Sequence, residues 1–240
     1  MENAELRSNI RKLRTRATLS VICVLLVFIS LVFGVSFAVI RSLAAVPCFA
    51  AALLSIAYLL YVKRIALKEA KRGGFEPVVF QADQSWSFQD VAAFFEGITV
   101  AGDQIATPEN VRFYRTDHIL KLRVVVYGTA AFDRKEFESA KDRINKKANK
   151  ALDISQWVSL AEAAKMMRLN IICVDVMNDE LRRFLSQNAC RNLTRAEGIM
   201  NIAIVGDKIL IPPLYGQCDP AEIRRYTGVV RFIEESFLPG

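Results

Sequence analysis

Few side chains in this sequence are equipped for chemistry. The chain has one histidine, His118, and five cysteines without a C-x-x-C pair, so neither a His-rich metal site nor a zinc ribbon can be assembled. Asp175 is the best-placed carboxylate. It lies at the carboxyl end of the apolar run Asn170 to Val176 and just before a helix start, where open α/β sheets put their ligand sites. Asp179 stands close enough in sequence to join it, and two carboxylates there would hold Mg²⁺ through water-rich coordination for work on phosphates. The plainer reading is that Asn178 and Asp179 cap a helix and Asp175 ends a strand. Asp175 and Asp179 are therefore weak catalytic candidates, with no metal ligand, cofactor-binding residue or cofactor predicted.

The other reactive types fare worse. His118 sits at the expected tip of a hairpin and serves a turn; any His-based triad would have to route through it alone. Cys173 falls inside the apolar run, where a thiolate is costly, and Cys190 and Cys218 have no histidine nearby in sequence to activate them. The five scattered cysteines fit a reducing compartment. No G-x-x-x-x-G-K-[ST], G-x-G-x-x-G or G-x-S-x-G occurs, which removes the common nucleotide and serine-hydrolase signatures. The order helix, hairpin, helix, strand over residues 87–176 invites comparison with metal-dependent nucleases. The acid-x-Lys that such a site needs is missing, and Lys121 and Arg123 stand there instead.

The most informative feature is apolar. Residues 17–40 carry no charge over 24 positions, about 36 Å as helix, and 42–62 carry none over 21, about 31 Å; each is enough for a ~30 Å hydrocarbon core. The connection around Arg41 to Pro47 is so short that the two must return as a hairpin. Five basic residues precede the first span (Arg7, Arg11, Lys12, Arg14, Arg16), one lies between, and five follow the second (Lys63, Arg64, Lys68, Lys71, Arg72), so both termini are expected on the cytosolic side. The small-x-small sequence Ser36-Phe37-Ala38 follows too long an apolar run for a cleaved signal. Neither span holds an ionisable side chain other than Cys and Tyr, which argues against an ion path. Ser30, Gly34 and Ala38, with Ala44, Ala51 and Ser55, suit close helix packing within the hairpin or against a partner helix.

The net charge of +7 resolves on division. Residues 1–72 hold 11 basic and 3 acidic side chains (+8), and residues 73–240 hold 21 and 22 (−1). The surplus sits beside the spans, where it attracts anionic lipid at roughly 1 kcal/mol per charge. The remainder is nearly neutral, and nucleic acid is not an expected partner. The expected organisation is a basic N-terminus (1–16), a transmembrane hairpin (17–62, spans 17–40 and 42–62), a basic juxtamembrane linker (63–74) that prolongs the second helix until Gly73-Gly74, and one cytosolic α+β domain (75–240).

Within that domain the pattern predicts a helix over 86–97 opened by Ser87 and Asp90, and a hairpin of 110–116 with 119–127. A helix over 133–150 follows, with Phe137, Ala140, Ile144 and Ala148 inward, then a short helix from Ser159 to near Arg168. After these come a buried strand over 170–176, a helix from Asn178 or Asp179 to about Cys190, a second hairpin (202–205 with 208–211), and a helix over 219–237. Two hairpins and alternating helices imply a mixed sheet with flanking amphipathic helices. Asp117-x-Ile-Leu and Asp133-x-x-Glu136 recur faintly as Asp207-x-Ile-Leu and Asp219-x-x-Glu222.

These readings point to a membrane-anchored cytosolic interaction or regulatory module, non-enzymatic and in a bacterial-type cell membrane. A homo-oligomer or membrane-protein partner is expected in addition to the bilayer. The alternative is a membrane-tethered hydrolase or phosphotransferase using an Asp175-centred Mg²⁺ site.

Overall fold

The computed structural model describes residues 3–40, 42–72, 75–98, 109–116, 122–151, 167–187, 189, 198–216 and 218–238. Contacts divide the chain into two compact units: Arg7–Gly73 with Tyr215–Ile223, and Met1–Leu6 with Gly74–Leu214 and Arg224–Gly240.

The first unit is built on helices α1 (Asn3–Val39) and α2 (Ala45–Arg72), both long and apolar enough to cross a membrane. The chain reverses over 40–44, where Ser42 N donates to Phe37 O (2.8 Å) and Ala45 N to Ser42 O (3.2 Å). Pro47 therefore lies in the first turn of α2 rather than in the reversal, and its missing N–H costs little there. Arg41 lies outside the described residues. Buried positions recur in steps of three and four, including Leu13, Ala17, Ser30 and Gly34 on α1 and Ala45, Ala52, Ser55, Val62 and Ala66 on α2. That spacing is the seam of helices packed knobs into holes. Gly34 serves it directly, since a Cβ there would come 3.1 Å from the Phe49 ring. Ser30 and Gly34 are thus used by the hairpin, whereas Ala38 is exposed. The outward surface is apolar, with Phe28 at 69% and Leu54 at 73% exposure.

The second unit is an α+β domain around a six-stranded mixed sheet. Its strands are β1 (Val78–Gln81), β2 (Val111–Thr116), β3 (Leu122–Thr129), β4 (Met167–Val174), β5 (Gly198–Val205) and β6 (Lys208–Ile211), in the order β1-β6-β5-β4-β3-β2. β3, β4 and β5 run parallel, and the flanking pairs are antiparallel. Both expected hairpins are present. β2 and β3 pair as far as Thr116 with Leu122, and His118 lies outside the described residues. β5 and β6 close at Gly206-Asp207, where Gly206 has φ +62°, a conformation that glycine adopts without steric cost.

Helices cover both faces, because successive side chains of a strand point to opposite sides. Phe113, Val125, Tyr127 and Ile172 share one core with Phe137, Ala140 and Ile144 of α4 (Arg134–Ala151) and Leu181, Phe184 and Leu185 of α5 (Asp179–Leu185). Tyr114, next to Phe113, faces the other way and stacks on Phe95 of α3 (Phe88–Ile98) at 5.7 Å. Phe95 also meets Phe232 and Phe237 of α6 (Pro220–Phe237). The helices that follow the two hairpins, α4 and α6, therefore enter cores on opposite faces, and the recurring hairpin-helix sequence has no counterpart in packing. Their caps form as the sequence implies. Asp133 Oδ1 accepts from Glu136 N (2.8 Å), and Asp219 and Glu222 exchange reciprocal bonds of 2.8 and 2.9 Å.

Three elements differ from expectation. β1 is an unforeseen strand: Val78, Val79 and Phe80 suit a pleated surface, but the β6 partner that makes the strand lies some 130 positions away. β4 begins at Met167, so Arg168 belongs to a strand and not to the end of a helix; residues 159–166 lie outside the described residues. α5 ends at Leu185, well before Cys190, with Ser186 N and Oγ both donating to Arg182 O.

The amino ends of the parallel strands carry a buried polar row. Arg123 pairs with Arg168 and Asn170 with Asn201 across neighbouring strands; Arg123 is 3% exposed and Asn170 0%. Asn170 Nδ2 donates to Asn201 Oδ1 at 2.7 Å.

Candidate functional site

A cleft of about 570 Å³ opens at the carboxyl ends of β3 and β4. Its floor is Gly128 and Thr129 on β3 with Cys173 and Val174 on β4, and Asp175 follows directly on the rim. Ser85 to Gln89 form one wall, Glu109 and Asn110 another, and Gly206 contributes from the β5–β6 turn.

The first wall is held by backbone bonds. Ala82 N donates to Asp207 O (2.8 Å), Trp86 N donates to Gly206 O (2.9 Å), and the Gln81 amide donates to the Asp207 carboxylate. The ring of Trp86 sits edge-on to Phe237 (4.9 Å) and to Phe94 (6.2 Å), so its position is set by the core beneath. Gly128 is required for the floor. A Cβ there would lie 2.7 Å from Phe88 Cγ, so only glycine lets Phe88 rest on the strand; Gly128 N also donates to Asn110 O (2.8 Å), tying the second wall to β3. Arg112 lies over the Phe88 ring at 5.8 Å.

The polar side chains of the cleft fall into two groups. Ser87 and Thr129 are committed to structure: Ser87 donates from N and Oγ to the Asp90 carboxylate, which holds that carboxyl below its usual range, and Thr129 Oγ1 donates to Ala131 O (2.9 Å). Ser85, Gln89, Glu109, Asn110 and Asp175 make no side-chain hydrogen bond among the described residues. Trp86 Nε1 is buried without a partner as well. An unpaired buried donor costs about 1–3 kcal/mol, and this one is enclosed by protein and closed off from the open part of the cleft. Cys173 is 5% exposed and burial pushes its thiol up to about 12, which keeps it neutral and non-nucleophilic near pH 7.

The two carboxylates singled out in the sequence occupy separate clefts. Asp175 lines the one at the strand ends; Asp179, the first residue of α5, lines another with Arg134, Glu180 and Arg183. Asn178 is the N-cap, its Oδ1 accepting from Leu181 N (2.8 Å) while its Nδ2 donates to Phe132 O (2.8 Å). The carboxylate that shares the Asp175 cleft is Glu109, which precedes β2 and gave no sequence signal. Among the described residues no three His, Cys, Asp or Glu side chains cluster as a metal cage would require.

In the helical unit, Arg16 Nη1 donates to Glu69 Oε1 (3.0 Å), and Glu69 Oε2 accepts from Gly216 N (3.1 Å), so Arg16 is held in a structural contact. Arg11, Lys12, Arg14, Lys63, Arg64 and Lys68 are exposed. Lys71 and Arg72 end α2. Cys218 is disulfide-bonded, a finding that runs against the reducing compartment inferred from the scattered cysteines.

Fold and cleft together define a class: an α+β domain with a parallel three-strand centre and a polar cleft at the carboxyl ends of two of its strands, on a chain that also carries two long apolar helices. No protein-family model, curated protein or solved structure matches the chain.

Proposed function

We propose that this protein is a membrane-anchored binding module whose α+β domain takes a small ligand at the Asp175 cleft and thereby localises or regulates a partner at the membrane. The observation that carries the reading is the cleft itself, with unengaged polar side chains converging on the carboxyl ends of parallel strands. Anchoring is supported by the outward apolar surface of α1 and α2, far larger than water-exposed proteins retain. The basic flanks favour cytosolic termini and contact with anionic lipid through Arg11, Lys12, Arg14, Lys63, Arg64, Lys68, Lys71 and Arg72. The disulfide at Cys218 argues for the opposite face. Ten basic residues at the outer flanks against one between the spans is the larger topological bias, and the proposal keeps the domain cytosolic. Protease protection of intact and opened vesicles tests this. A domain digested only from the outer, non-cytosolic face would reverse the orientation.

Binding is tested by native mass spectrometry of the full-length protein extracted gently from its own membrane. A retained small molecule that is lost on Asp175→Asn, or a discrete homo-oligomer or protein complex, is the expected result. A bare monomer in both forms would defeat the module reading. The placement of Asp175 also favours a second reading, a tethered hydrolase or phosphotransferase. There Asp175 and Glu109, rather than Asp175 and Asp179, would be the carboxylates available to Mg²⁺. Mg²⁺-dependent thermal stabilisation abolished by Asp175→Asn would favour it.

A further inference from the structure

We infer that the ligand of the Asp175 cleft is a neutral, hydroxyl-rich molecule of about monosaccharide size, an assignment that rests on the binding reading above. The argument starts from what the site has left over. A cation site would concentrate carboxylates, yet the lining holds two, Glu109 and Asp175, and no three His, Cys, Asp or Glu side chains cluster among the described residues. An anion site would present arginines or lysines, and none lines the cleft among the described residues. What remains free is a mixture: two carboxylates that only accept, and the amides of Gln89 and Asn110 and the hydroxyl of Ser85 that both accept and donate.

Vicinal hydroxyls match that mixture, because each donates and accepts at once. A ring bearing several of them satisfies acceptors and donors on different walls together. Carboxylates and amides are the strongest neutral-ligand partners available at neutral pH, since charge-assisted bonds from hydroxyl to carboxylate are about twice as strong as neutral ones. The C–H faces of such a ring need apolar surface, and Trp86 and Phe88 supply it within the same wall.

The test uses the full-length protein in amine-oxide micelles, since a glycoside detergent would itself compete. Glucose and myo-inositol are titrated, with spermidine, inorganic phosphate and MgCl₂ as probes of the other classes, and binding is read by thermal shift and by saturation-transfer NMR. The expected result is a saturable response to glucose or inositol. Asp175→Asn and Gln89→Met, which keep side-chain size while removing a charge and an amide, should each weaken it by about tenfold. A response confined to spermidine, phosphate or Mg²⁺ and lost on Asp175→Asn would overturn the hydroxyl-rich assignment while leaving the cleft a binding site. Silence from all five probes would also overturn the assignment; the binding reading would then stand or fall on the mass retained in the native spectrum. A polyol response unchanged in both variants would place the ligand elsewhere and overturn the proposal.

Discussion

The two ends of the parallel strands treat polar residues in opposite ways. In the amino halves, Arg123, Arg168, Asn170 and Asn201 lie across β3, β4 and β5, and Asn170 is wholly buried, its Nδ2 bonded to Asn201 and its Oδ1 without a partner among the described residues. At the carboxyl ends, Asp175, Glu109, Gln89 and Asn110 reach a cleft, and their side chains make no hydrogen bond among the described residues. Groups in the first set are enclosed by the sheet, where a pairing such as Asn170 Nδ2 with Asn201 offsets a desolvation cost of several kcal/mol. Those in the second set contribute little to folding and remain free to bind. The contrast separates residues that stability selects from residues that a ligand selects, and it can be broken by substitution.

The largest effect is expected at the amino end. Asn170→Ala removes the donor to Asn201 Oδ1 and opens a void in the sheet centre, and it should lower stability by about 3 kcal/mol in denaturant unfolding. A loss below about 1 kcal/mol would mean that water or neighbouring groups satisfy this row, and the contrast would fail. Next comes the floor of the cleft. Gly128→Ala places a methyl 2.7 Å from Phe88 Cγ, so Phe88 must move; a cost of about 2 kcal/mol is expected, along with weakened binding. Here stability and site are coupled, which makes Gly128 the position where the two ends resemble each other.

The opposite face of the sheet provides a pH test. Burial pushes the Tyr114 hydroxyl up to about 12, with Glu96 adding to the shift through its charge and the 3.3 Å bond it accepts. A folded value above the unfolded one, near 10, means that stability is intact below pH 10 and is lost as pH rises from about 10 to 12. Tyr114→Phe should cost about 1 kcal/mol at pH 7 and make alkaline unfolding begin at higher pH. Tyr127 and Tyr226 shift the same way, so the variant should soften the alkaline loss without abolishing it.

What could be read from the sequence divides along the same line. Local signals were legible: the two long apolar helices, the caps at Ser87, Asp133, Asn178 and Asp219, both hairpins, and Asp175 at a strand end. Features made by distant pairing were not. β1 exists because β6 offers it an edge, Arg168 becomes strand because Arg123 and β5 flank it, and Glu109 joins Asp175 because β2 and β4 are brought to one side of the fold. Asp179 misled for the converse reason. Proximity in sequence placed it beside Asp175, but the first turn of a helix rotates successive side chains by about 100°, and Asp179 lines a different cleft.

The smallest effect on stability is expected at Asp175 itself, and it is the most decisive. Asp175 is exposed and has no hydrogen-bond partner among the described residues, so nothing in the folded state depends on its charge. Asp175→Asn preserves its volume, and surface substitutions of this kind fall within about 0.5 kcal/mol. Unfolding curves of variant and parent should therefore superimpose while ligand retention falls by about tenfold. The pairing of the two measurements carries the argument. Equal stability with equal retention would leave Asp175 a strand-end residue and nothing more. A large loss of stability would show that the carboxyl end, like the amino end, uses its polar groups to hold the sheet.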